Sequence, residues 1–158
     1  NRYSWERAHR EAAEYYLTTQ NYYEFCREIN VLINQYPFVK EYYSFAVEQL
    51  LFAKRFDDVY PFLVKGYKRF PQALYAKWIG IIDLSKEKVD SAIFYLNESI
   101  KLSSNDAQVH FNLAGAYIKK KMFNEALNSI NNCLAVNPNY PDANRLKGQL
   151  GQITKVNR

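Results

Sequence analysis

The sequence predicts an all-α protein of stacked helical hairpins, about nine helices in one domain, and three observations carry that reading. Apolar residues recur at helical spacing in paired segments, and the pairs repeat about every 33 to 34 residues. Only 5 Gly and 5 Pro punctuate 158 residues that include 14 Tyr and 10 Phe. So few breakers favour long elements over many short strands and tight turns.

The clearest repeat is 107–140, where Leu113, Ala114 and Tyr117 share one face of a first helix. Phe123, Ala126, Ile130 and Cys133 share one face of a second, and Pro138 stops it. In 73–106 the same slots hold Ile79, Gly80 and Asp83, then Val89, Ala92, Leu96, Ser99 and Ser104, so three of them turn polar. In 40–72 they hold Ala46, Val47 and Leu50, then Phe56, Val59, Leu63, Gly66 and Pro71. In 6–39 they hold Ala12, Ala13 and Tyr16, then Tyr22, Phe25, Ile29, Leu32 and Pro37. A single hairpin cannot cover its own apolar face, so stacked neighbours must bury it and the ends need caps. A final helix over 141–154 suits that purpose, with Pro141 and Asp142 in its first turn and Ala143, Leu146, Leu150 and Ile153 on a narrow apolar face.

This spacing resembles the tetratricopeptide repeat family, whose pattern sets a bulky residue at position 4, Leu-Gly at 7 and 8, Tyr at 11, Ala at 20, Phe at 24, Ala at 27 and Pro at 32. The resemblance runs from about residue 6 to 140, strongest in the fourth copy. It implies a right-handed α–α superhelix, a solenoid that binds other proteins. Phe25, Leu32 and Val59 stand where the family prefers small residues at helix crossings, so wider or tilted packing is expected in the first two hairpins.

The chemistry of most enzymes is absent from the motifs. There is no Gly-x-Ser-x-Gly turn, no Gly-rich phosphate loop and no His or Cys cluster of metal-binding spacing, so no catalytic residue, cofactor or metal is expected. His9 and His110 fall at the same slot of distant repeats and read as packing residues. Cys26 and Cys133 lie on second helices of the first and fourth repeats, too far apart for a disulfide. No apolar run reaches the roughly 18 residues of a membrane span.

The formal charge of +5 spreads as −1 over 1–39, +2 over 40–72, −1 over 73–106, +2 over 107–140 and +3 beyond. No basic stripe emerges, and nucleic acid is not the expected partner. The run Lys119-Lys120-Lys121 falls at a helix end, where cations complement the dipole.

In the family, first helices line a concave groove. Its positions carry over to a candidate set of Arg10, Glu14, Phe45, Glu48, Phe52, Lys77, Trp78, Ile81, Phe111, Asn112 and Lys119. Phe45, Phe52, Trp78, Ile81 and Phe111 suggest an apolar guest, and Trp78 leads them because Trp is over-represented at binding hot spots. Arg10, Lys77 and Lys119 suggest anchors for acidic groups on it. The carboxylate clamp used by chaperone-binding members needs paired Asn with Lys and Arg, and of these only Asn112 is in place.

The expected function is thus a non-catalytic scaffold that holds a peptide or helix of a protein partner. A second reading makes the chain an accessory part of a larger protein whose catalysis lies before Asn1, since the sequence lacks an initiator Met. A third fills the groove with a second copy, giving a homodimer. Partner identity, process and compartment are not encoded in these motifs.

Overall fold

The computed structural model describes residues 2–103 and 105–156. Ser104, which fills a repeat slot, lies outside the described residues. Among those described there are nine helices and no strand. They group into two compact units, one ending at Pro71 and the other beginning at Gln72.

The first unit holds α1 (Arg2–Thr18), α2 (Tyr22–Gln35), α3 (Lys40–Phe52) and α4 (Phe56–Arg69). The second holds α5 (Ala73–Ser85), α6 (Val89–Leu102), α7 (Ala107–Lys119), α8 (Phe123–Val136) and α9 (Ala143–Val156). α1 starts at Arg2, before the position expected from the repeat. α9 starts two residues later than expected, because Asp142 takes a left-handed φ of 59° that a helix cannot contain.

One turn joins the helices of all four hairpins. Gln20, Lys54, Glu87 and Lys121 each take a left-handed φ between 55° and 59°. The next N–H then reaches back to a carbonyl of the first helix: Asn21 to Tyr16 at 2.8 Å, Arg55 to Leu50 at 2.8 Å, Lys88 to Asp83 at 2.9 Å and Met122 to Tyr117 at 2.9 Å. This is the Schellman closure, which satisfies carbonyls the helix end leaves open. The donor residue also begins the following helix, so the connection is as short as a helical hairpin allows.

The repeat slots fill the cores. In the first unit Ala13, Phe25, Ile29, Leu32, Ala46, Leu50, Val59 and Leu63 are fully or almost fully buried. In the second, Leu96 packs with Val109 and Leu113, and Ala114 packs with Ala126, Ile130 and Leu150. Ala107, Cys133 and Ala143 form a third group, so α9 covers the last hairpin through Ala143 and Leu150 while Ile153 stays largely outside.

The expected wider packing appears where Phe25, Leu32 and Val59 replace small residues. The helices of α1–α2 and α3–α4 approach each other less than those of α5–α6 and α7–α8. In α5–α6 the closeness depends on Gly80, where an added Cβ would lie 2.7 Å from Leu96 Cγ. The polar slots there are satisfied locally. Ser99 Oγ donates to the Ala73 carbonyl at 2.9 Å, and the buried Asp83 accepts from Ser91 Oγ at 2.5 Å.

Candidate binding surfaces on the first helices

In the first unit, α1 and α3 face each other across a cleft of about 380 Å³. α1 contributes Glu6, Arg10, Ala13 and Glu14; α3 contributes Glu41, Tyr42 and Phe45; Ile29, Leu32 and Val39 complete the wall. Positions four apart on one helix share a face, which sets Arg10 beside Glu6 and Glu14, and Phe45 beside Glu41. The floor is apolar. Its rim carries three carboxylates against one guanidinium, and among the described residues Arg10 makes no ion pair.

Tyr42, on the lining of the cleft, donates its hydroxyl to the Glu6 carboxylate. Burial, and then that bond to Glu6, push the Tyr42 phenol up to about 12. Phe45 packs edge-on to the buried Phe25, with ring centroids 5.8 Å apart, so one part of the ring is structural and the rest faces the cleft. Arg10, Glu14 and Phe45 therefore meet at one place. Glu48 and Phe52 lie farther along α3 outside it, with Phe52 90% exposed.

In the second unit the expected site residues are mostly committed to the fold. Ile81 packs against Leu96, Val109 and Leu113. Phe111 stacks on Tyr140 at 5.0 Å and contacts the groups that α9 covers. Asn112 Nδ2 donates to the Gln108 carbonyl at 2.8 Å, within its own helix. Trp78 is half-buried and engaged in contacts of its own.

Two of the three basic anchors expected for an acidic guest are already taken. Lys77 Nζ lies 2.7 Å from Asp106 Oδ2, with the lysine side chain only 15% exposed. Lys119 Nζ meets both Glu87 oxygens, at 2.9 and 3.0 Å. Lys120 pairs with Asp90, so Lys119 and Lys120 link the exposed end of α7 to the preceding hairpin. The sequence shows these cations and not their partners, because Asp106 and Glu87 lie some thirty residues from them.

His9 and His110 sit in packed positions. His9 Nδ1 is 2.5 Å from Glu28 Oε2 with its ring against Trp5, and His110 is buried. Burial raises the Cys133 thiol; burial, and then Asp58, raise that of Cys26 to about 11, and both thiols are free. Among the described residues no group of three or more His, Cys, Asp or Glu converges as a metal site would require, and no helix is long and apolar enough to cross a membrane.

Paired helices of nearly equal length, one turn type reused and small residues at the closest crossings define an all-α protein of tetratricopeptide-like hairpins. Residues 83–150 match the tetratricopeptide repeat family model. Residues 83–150, less than half of the chain, thus carry the tetratricopeptide pattern, and the likeness to solved structures of that fold extends over most of the chain. Among solved structures it is similar to the MamA protein, with a TM-score of 0.78 and 14% identity over 93% of this chain and 81% of that one. It is also similar to YrrB, described as a TPR protein with an unusual peptide-binding site, with a TM-score of 0.71 and 14% identity over 90% of this chain and 74% of that one. The Arabidopsis OM64 TPR domain matches with a TM-score of 0.63 and 13% identity over 70% of this chain and 93% of that one. At these identities the likeness is one of fold. No curated protein matches the sequence.

Proposed function

We propose that the chain is a non-catalytic protein-interaction scaffold, and that the α1–α3 cleft of its first unit holds an apolar peptide or helix carrying basic side chains. One observation carries the reading: Arg10, Glu14 and Phe45, expected from the repeat register to face a guest, line one cleft with an apolar floor and an acidic rim. The fold supports it, since a solved relative of this architecture, YrrB, is described as having a peptide-binding site.

The preferred charge of the guest reverses the one expected from sequence. With Lys77 and Lys119 held by Asp106 and Glu87, the uncommitted charge on the first-helix faces is that of Glu6, Glu14 and Glu41 around Arg10. Complementary potentials steer encounter and suppress wrong partners more than they add raw affinity, so the rim should select and the floor should hold. Trp78, Phe52 and Glu48 remain candidates for contacts outside the cleft.

Phe45→Ala would remove a ring from Phe25 and disturb folding together with binding. Glu14→Lys with Glu41→Lys changes exposed rim charge and leaves the core intact. Paired capture from the source extract, with wild type and this double variant as baits, tests the proposal. A protein retained by the wild type and lost by the variant supports the cleft. Identical retention by both baits contradicts it.

A further inference from the structure

A second cleft, of about 390 Å³, opens in the first unit between the C-terminal halves of α2 and α4. Its buried floor includes Ile33 and Tyr43, and its wall carries Lys65, Lys68 and Arg69. Among the described residues no carboxylate lines it, and none of the three cations makes an ion pair. Elsewhere on this chain Lys77, Lys101, Lys119 and Lys120 are each paired with an acid. Three cations around one unpaired hollow repel one another, and an anion placed among them relieves that repulsion.

Complementing the α4 dipole accounts for Lys68 and Arg69, which stand in its last turn. It does not account for Lys65, one turn earlier, whose Nζ donates to Asn30 Oδ1 at 2.9 Å and is thereby held beside α2. Arg69 is also positioned: its guanidinium lies 4.4 Å from the Phe38 ring centroid. Stacking occupies the face of a guanidinium and leaves its edge donors free, the arrangement that suits bidentate contact with phosphate oxygens.

We infer that the cleft of Lys65, Lys68 and Arg69 is a binding site for a phosphate monoester or inorganic phosphate dianion. Arg69 supplies the paired donors, and the two lysines of the same helix supply further charge. The site lies apart from the α1–α3 cleft and does not depend on the function proposed for it.

Backbone amide NMR shifts of the whole chain test this, titrated at constant ionic strength with inorganic phosphate, a phosphoserine peptide and the unphosphorylated peptide. The expected result is saturable shifts centred on Ile33, Asn34, Lys65, Lys68 and Arg69, with phosphate and with the phosphopeptide but not with the unphosphorylated one. Lys65→Gln, Lys68→Gln and Arg69→Gln together should weaken binding at least tenfold. Removing equal charge at Lys40, Lys54 and Lys121 should change it less than twofold, and all variants should remain folded at the titration temperature, as their amide spectra report. Arg69→Lys should lose about threefold, because charge remains and the planar fork does not. A phosphopeptide bound much more tightly than phosphate assigns the site to a phosphorylated partner, whereas equal affinities assign it to a small anion. Shifts that fail to saturate, or equal weakening by both triple variants, overturn the inference.

Discussion

Lys77 and Asp106 share one carboxylate with the start of a helix. Asp106 Oδ2 lies 2.7 Å from Lys77 Nζ, while Oδ1 accepts the N–H groups of Gln108 and Val109 at 3.0 and 3.3 Å. One residue therefore caps α7 and fastens it to α5. Burial alone would raise the Asp106 carboxyl, but the bond and charge of Lys77 and the two N–H groups outweigh it and hold the carboxyl below its ordinary value. A depressed folded value stabilises the fold above the unfolded value, near 3.8, and the contribution is lost as pH falls through the folded one.

Asp106→Ala is accordingly expected to cost about 1 kcal/mol at neutral pH through the lost cap. Asp106→Asn keeps a capping oxygen and should cost less. The gap between Asp106→Asn and the wild type should shrink as pH falls below about 3.8, as the carboxyl protonates and its ionic advantage disappears, whereas Asp106→Ala should keep part of its deficit because it has no capping oxygen. Urea unfolding at pH 7 and at pH 3 measures the difference.

Two glycines of comparable helical position should respond oppositely. Gly80→Ala forces a methyl against Leu96 and is expected to destabilise by about 1–3 kcal/mol. Gly115→Ala meets only Leu84 Cδ2 at 3.9 Å and should stabilise by roughly 0.5–1 kcal/mol through helix propensity. Thermal melts of the two variants decide it.

The left-handed turn offers a gain that evolution has left unused. Lys54 holds a φ of 55°, a conformation that burdens any residue with a Cβ. Lys54→Gly is expected to raise unfolding free energy by about 0.5–1 kcal/mol, net of the entropy that glycine adds to the unfolded chain. Gln20→Gly should behave alike, and denaturant midpoints give the answer.

The α9 cap should matter more than its length suggests. Leu150 is 2% exposed against Ala114, Ala126 and Ile130, and Leu150→Ala should cost about 2–4 kcal/mol. Removing residues 141–158 exposes the α8 face that α9 covers and should lower the melting temperature further.

These results mark what the sequence makes legible. The helical period exposed the hairpins, because core slots such as Ala46, Leu63, Ala114 and Ile130 repeat with the spacing of a helix face. The turns were not visible as such, since glycine, the usual sign of a left-handed closure, is replaced by Gln20, Lys54, Glu87 and Lys121. The cleft was partly visible: Arg10, Glu14 and Phe45 follow from register, but Glu6 enters it from the turn before and Tyr42 from a neighbouring face. Charge pairing was not visible at all. Lys77 and Lys119 read as free anchors until Asp106 and Glu87 were found beside them, an outcome that depends on stacking and not on local pattern.

The most direct test of the scaffold reading is fluorescence anisotropy with two labelled amphipathic helical peptides that share one apolar face and carry either Lys and Arg or Glu on the rest. At about 0.15 M salt the basic peptide should bind at least tenfold tighter than the acidic one. Glu14→Lys with Glu41→Lys should remove that preference while the variant stays folded at the assay temperature, with at most a small loss from placing a cation in the first turn of α3. Equal binding of the two peptides, or a preference that survives the double variant, would contradict an acidic-rimmed peptide cleft between α1 and α3.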